Sequence, residues 1–278
     1  TLTTSPPVAP GFQNALIFGV RLNCPCDNSS IPNAGNPNCL YEFNSSDCFC
    51  STECNSVLER AKILGVNRFI CVATNLDDAN ECLELSKKYE SIYASVGIHP
   101  HESKDVPNNY LEKIEQYANH QKVVAIGEIG LDYYYNFSDP TIQKRVFFEQ
   151  LKLAKKLNLP CVIHCRDAYD DLMKIILKSE HNKGVIHCFA GDLQFAQEII
   201  KYGYYISFTG MVTFVESLKE VLKKVDLHKI MIETDSPYLA PHPFRGKRNE
   251  PKNVTEVAKF IANIKNIDLN IFNKVVYE

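Results

Sequence analysis

The chain has 278 residues, 45% of them apolar and 23% charged, which is enough for one large α/β domain with a substantial core. Lys plus Arg number 30 against 33 Asp plus Glu, a formal charge of -3, so any surface for a polyanion must be local. No run approaches the roughly 20 apolar residues that span a bilayer, and residues 1–11 lack the charged start and apolar stretch of a signal peptide; we expect a monomeric intracellular protein of the cytoplasm or nucleus, without a membrane partner.

The first strand-like run is Ala15-Leu16-Ile17-Phe18. A segment without periodicity follows at about 23–51, rich in Cys, Asn, Ser and Pro; Cys24, Cys26, Cys39, Cys48, Cys50 and, just after it, Cys54 cluster there. It reads as a long first βα loop, with disulfides, a zinc site and plain loop thiols all open as readings. Alternation then sets in. Apolar, β-branched runs near 66–73, 91–97, 122–127, 160–165, 184–188, 204–208 and 229–233 read as strands. Helical patterns near 53–64, 76–88, 108–119, 140–157, 168–179, 192–201, 215–224 and 253–264 lie between them, opened by Asn75, Asn108, Asp139 before Pro140, Asp167, Asp192 and Asn253 as caps. Eight strands and eight helices in alternation demand a parallel sheet, and eight units in about 250 residues is the size of a closed (βα)8 TIM barrel. The open doubly wound sheet is the competitor. We expect a single barrel domain over 1–278. Cys71, Cys82, Cys161, Cys165 and Cys188 fall in or beside the regular elements and read as ordinary buried thiols.

Four side chains that bind metal sit just past strand-like runs: Glu128, His164, His187 and Asp235. Polar groups at the carboxyl ends of buried parallel strands converge on one face, and two imidazoles with two carboxylates make a hydrolytic metal centre. Each has an ordinary alternative: a solvated loop Glu, a structural His, or for Asp235 a turn before Pro237. Arg166, two residues after His164, returns to the same side of an extended segment and carries a planar fork suited to phosphate. Arg245, Lys247 and Arg248 put three cations in four positions around Gly246, a compact anion clamp or a solvated loop. Tyr133, Tyr134, Tyr135, Phe189 and Phe208 follow strands as well, placed either to stack on a base or to pack the core.

At these residues the chain resembles the TatD family of metal-dependent deoxyribonucleases. The matching motifs are Val96-Gly97-Ile98-His99-Pro100-His101, Gly127-Glu128-Ile129-Gly130-Leu131-Asp132-Tyr133, Leu159-Pro160-Cys161-Val162-Ile163-His164-Cys165-Arg166, His187-Cys188-Phe189, Glu233-Thr234-Asp235-Ser236-Pro237 and Arg245-Gly246-Lys247-Arg248-Asn249-Glu250-Pro251, in the family's order from about Val57 onward. The resemblance implies a (βα)8 barrel of the metallo-dependent hydrolase type, one or two divalent metals (Mg or Zn), and phosphodiester hydrolysis, typically of single-stranded DNA from its 3′ end. It implies metal ligation by Glu128, His164, His187 and Asp235. Glu128 and Asp235 then act in catalysis, Asp235 helping to deprotonate the attacking water, while His99, Arg166, Arg245, Lys247 and Arg248 face the substrate phosphates. One departure stands out. Most members carry Asp-x-His-x-His on the first strand, whereas here no His precedes His99. A Gly-x-Asn variant of that motif aligns with Gly19-Val20-Arg21-Leu22, and a second register sets Cys24-Pro25-Cys26 over His-x-His. We take the first, which leaves one metal bound well and a second bound only with substrate. Two rivals remain: a barrel metallohydrolase cutting a C–N or C–O bond, and a catalytically impaired descendant that binds nucleic acid.

Overall fold

The computed structural model describes residues 51–135 and 137–277. Ala15-Leu16-Ile17-Phe18, the Cys-rich segment up to Cys50 and both registers of the first-strand motif lie outside them. Seven strands, β1 (Phe69–Val72), β2 (Ile92–Val96), β3 (Val123–Asp132), β4 (Cys161–Arg166), β5 (Gly184–Ile186), β6 (Tyr205–Phe208) and β7 (Ile230–Ile232), pair in parallel in sequence order. The helices between them are α1 (Ser51–Ile63), α2 (Leu76–Lys88), α3 (Tyr110–Ala118), α4 (Pro140–Leu157), α5 (Tyr169–Ser179), α6 (Leu193–Lys201), α7 (Glu216–Lys224) and α8 (Val254–Lys265). This curled sheet wrapped by helices is a TIM barrel, with the expected first strand beyond the described residues. One further helix, α9 (Leu269–Tyr277), was not anticipated. It starts at Asp268, whose carboxylate accepts the amides of Asn270 and Ile271 at 2.8 and 3.4 Å.

The caps show how local chemistry starts these helices. Asn75 accepts the amides of Asp77 and Asp78, Asp139 that of Thr141 and Asp192 that of Phe195. The other three expected caps differ. The helix expected from Asn108 begins one residue later, behind Asn109, which makes no side-chain cap. Asp167 sits in the left-handed region at φ 54°, so Ala168 takes the cap position of α5. Asn253 occupies its cap position, but its side-chain amide donates to Asn249 instead, at 2.9 Å.

The two sides of the sheet pack differently, and that difference builds the site. Successive strand side chains point to opposite faces. Phe69 and Cys71 of β1 join the large core under the helices, while Ile70 and Val72 join a small cluster with Ala125, Val162, Val185 and Met231 inside the barrel. Continuing each strand at period two from that interior layer leads from Val162 to His164 and Arg166, from Val185 to His187, and from Met231 to Glu233 and Asp235. β3 breaks the rule. Counting in twos from Ala125 reaches Gly127 and Ile129, which would leave Glu128 facing the helices. The β3–β4 register, however, slips between Ile126 and Ile129, both of which stay in the outer core. This bulge adds one residue and turns Glu128, and after it Asp132, toward the interior. Gly127 permits it: a Cβ there would lie 2.6 Å from that of Val162.

Candidate metal centre

Glu128 is the hub. Its Oε1 lies 3.0 Å from His187 Nε2, 3.1 Å from His164 Nδ1 and 3.4 Å from His99 Nε2. All but His164 are buried, and His164 is about one-fifth exposed. Atoms of His99, Glu128 and His164 lie within 4.8 Å of one another, bounding a gap of the size a cation takes. Burial alone would raise the Glu128 pKa, but the imidazoles of His187, His99 and His164 hold it well below the usual carboxylate range.

A second carboxylate stands behind each of two imidazoles. His164 Nε2 is 2.9 Å from Asp132 Oδ2, and His187 Nδ1 is 3.2 Å from Glu233 Oε2. An N–H donated outward in each case leaves the inward nitrogen, the one facing Glu128, as the electron-pair donor, which is how carboxylates commonly orient metal-binding histidines. Burial opposes protonation of both rings, yet the carboxylates outweigh it: Asp132 and Glu128 raise the pKa of His164, and Glu128 and Glu233 raise that of His187 further. The carboxylates thereby favour protons on the inward nitrogens. A cation must displace them, so its affinity should rise with pH and its binding should release protons. Calorimetric titrations in buffers of different ionisation enthalpy measure that release directly.

His99 behaves differently. Burial pushes its pKa down to about 3, so the ring is neutral. Its Nδ1 accepts the amide of His101 at 3.2 Å, which assigns the remaining proton to Nε2, the atom that faces Glu128 Oε1 at 3.4 Å.

Asp132 and Glu233 are the residues that sequence reasoning left without a role. Asp132 is buried; its Oδ2 faces His164 and also lies 3.0 Å from His101 Nε2, while its Oδ1 accepts the amides of Tyr134 and Tyr135, each at 3.0 Å. Glu233 is fully buried and accepts from Ser207 Oγ and, at 2.6 Å, from the Cys188 amide. A signal existed in the sequence, since Asp132 and Glu233 stand an even number of residues from Glu128 and Asp235. Asp235 itself is half-buried after β7, at φ 53°. Burial and then the Asp235 charge push the Cys188 thiol up to about 12.

The expected phosphate-facing cations lie outside this buried shell. Arg166 is exposed, its guanidinium 3.9 Å above the Tyr134 ring. Arg245, Lys247 and Arg248 are exposed on one loop, with Arg245 3.7 Å above Phe214. That loop is tied to the end of β7: Asn249 donates to the carbonyls of Thr234 and Tyr238 at 2.8 and 2.7 Å, and Arg60 of α1 grips Glu250 with two bonds of 2.9 Å. Of the aromatics placed either to stack on a base or to pack the core, Phe189 and Phe208 are core residues, and Tyr133 is held by Asp171 at 2.9 Å. Tyr134 and Tyr135 are exposed, as is Phe137, for which the sequence suggested no role. Cys71, Cys82, Cys161 and Cys165 are buried free thiols; Cys188 is free but half-buried.

A family model for TatD-related DNases matches residues 43–278. The chain belongs to the TatD family. It is 44% identical over 218 residues to YabD of Bacillus subtilis, described as an uncharacterized metal-dependent hydrolase, covering 77% of this chain and 86% of YabD. It is 36% identical over 213 residues to TatD of Escherichia coli, named a 3′-5′ ssDNA/RNA exonuclease, covering 73% and 82%. The crystal structure of YjjV, a TatD homologue from Escherichia coli, superposes with a TM-score of 0.78 at 30% identity over 82% of this chain and 90% of that one. This TatD-family chain is a metal-dependent hydrolase, and the donor set fits a cation: a carboxylate oxygen with two imidazole nitrogens whose outer nitrogens are pinned by Asp132 and Glu233. No helix among the described residues is long and apolar enough to cross a membrane.

The pinning is measurable. Glu233→Gln keeps the shape of the side chain but removes the charge behind His187, and metal affinity should fall about 10- to 100-fold. Titration with a divalent cation checks this, with the circular dichroism spectrum expected to stay unchanged.

Proposed function

We propose that the chain, acting as a single barrel domain, hydrolyses phosphodiester bonds of DNA, working from the 3′ end of single strands. The observation that carries this reading is the pairing of the Glu128 centre with a cation-bearing loop stapled by Asn249 to the same strand end that carries Asp235. The relative named as a 3′-5′ ssDNA/RNA exonuclease supports it.

Glu128, His164, His187 and Asp235 are the residues that would hold the divalent ion, Mg or Zn, with a second ion joining only with substrate. When bound, the ion supplies Lewis acidity to a phosphoryl oxygen and lowers the pKa of a water. The remaining work falls to the chain. Asp235 takes the proton of the attacking water. His99 Nε2–H donates to a non-bridging phosphate oxygen. Arg166, Arg245, Lys247 and Arg248 hold the neighbouring phosphates without reading bases.

Two measurements test this. Oligonucleotides and cyclic amides offered side by side, with and without divalent ions, should show cleavage of the oligonucleotide alone; hydrolysis of the amide alone would transfer the assignment to C–N chemistry. Replacing Arg245, Lys247 and Arg248 together by Ala should raise KM for single-stranded DNA and flatten its salt dependence, by about 0.7 in log–log slope for each phosphate the loop neutralises. An unchanged slope would remove the loop from the substrate path.

A further inference from the structure

Three large aromatic side chains stand exposed in the loop after β3: Tyr134 at 56%, Tyr135 at 40% and Phe137 at 51%. Large apolar groups grouped in the open call for an explanation that scattered ones do not. Tyr133, next in the chain, marks the contrast, being half-buried and bonded to Asp171. The Tyr135 and Phe137 rings lie within 27° of parallel with centroids 5.4 Å apart, and Tyr134 meets Tyr135 edge-on at 4.8 Å. They form a platform rather than three separate side chains.

The platform is built into the metal centre. One carboxylate, Asp132, uses Oδ1 to hold the amides of Tyr134 and Tyr135 and presents Oδ2 to His164 and His101. The His101 ring then packs against the aromatics, 4.8 Å from Phe137 and 5.4 Å from Tyr135. Arg166, two residues beyond His164 on β4, lies 3.9 Å over Tyr134 and 4.9 Å from Tyr135. A guanidinium stacked by its face keeps its N–H groups in its own plane, where they serve a phosphate. Exposed aromatic faces beside such a cation match one chemistry, a base with its phosphate.

We infer that Tyr134, Tyr135 and Phe137 form a stacking subsite for an unpaired nucleobase next to the scissile phosphate, with Arg166 taking the adjoining phosphate. This rests on the phosphodiesterase reading and narrows it. A base must leave the duplex to expose its face, so the platform selects single-stranded ends and, because every base has a face to stack, does so with little sequence preference.

Binding measured in a chelator, where nothing is cut, tests the platform apart from catalysis. Single-stranded oligonucleotides carrying one abasic residue at each of the last four 3′ positions are compared with the intact strand. One position should weaken wild-type binding roughly 5- to 150-fold, the range of one base–aromatic stack. In a Tyr134→Ala/Phe137→Ala variant that ratio should fall to near one. 2-Aminopurine at the sensitive position should be quenched on binding the wild-type protein, a readout that needs no variant. Equal binding of all the abasic strands, no detectable binding of the intact strand, or an undiminished ratio in the double variant overturns the subsite. Cleavage assayed separately shows whether the phosphodiesterase reading stands or falls with it: cutting without base dependence removes the platform alone, and base-dependent binding without cutting removes the nuclease reading alone.

Discussion

Glu128→Ala should cost at least about a thousandfold in kcat/KM for divalent-dependent hydrolysis, roughly 4 kcal/mol of transition-state stabilisation. The reason lies in how much converges on one oxygen. His164, His187 and His99 all approach Glu128 Oε1 within 3.4 Å, so the substitution removes the proposed metal donor and the charge that faces three rings. The fold should survive, because His164 and His187 keep the carboxylates behind them, Asp132 and Glu233. Activity measured against metal concentration checks the mechanism: the variant should need far more metal and stay slow at saturation. Full divalent-dependent activity in Glu128→Ala would remove the centre from the reaction.

Gly130→Ala should have the largest effect on stability. Gly130 pairs with His164 across β3 and β4 at φ 141°, and a Cβ there would sit 2.0 Å from the His164 carbonyl oxygen. That is backbone against backbone, so no side chain can swing aside. Strain and clash together should cost about 3 kcal/mol or more, a drop in Tm on the order of 5–10 °C, with metal affinity falling as His164 shifts. Gly65→Ala is the control: its φ is 85°, but nothing lies within 4 Å of the added Cβ. It should lose only the smaller strain term. Equal Tm losses in the two variants would show that the clash with His164 contributes nothing.

Much of the barrel was legible because period-two patterning is a property of the chain itself. The runs Cys161-Val162-Ile163 and Gly184-Val185-Ile186 are apolar throughout because both of their faces are covered, and each leads to its histidine, His164 still inside β4 and His187 just past β5. Glu128 was expected just past its strand, whereas it lies inside β3. Its inward aim depends on a bulge, visible only in the register of β3 against β4. Asp132 and Glu233 were quoted within motifs yet given no role, because a carboxylate behind a histidine is defined by distance rather than by spacing. Helix α9 escaped for a related reason: it follows the left-handed Asn266 as a short segment, capped by one Asp. The clamp loop was legible as composition, but its attachment to the Thr234–Tyr238 segment runs through Asn249, whose side chain donates to Thr234 and Tyr238 and whose backbone amide donates to Pro237.

The most direct test of the central claim is a crystal soaked in Mn²⁺ with a short single-stranded oligonucleotide. An anomalous peak is expected among Glu128, His164, His187 and Asp235, with a phosphate oxygen within reach of His99 Nε2 and the flanking phosphates near Arg166 and the Arg245 loop. A peak held by other residues, or none at this site, would contradict that claim.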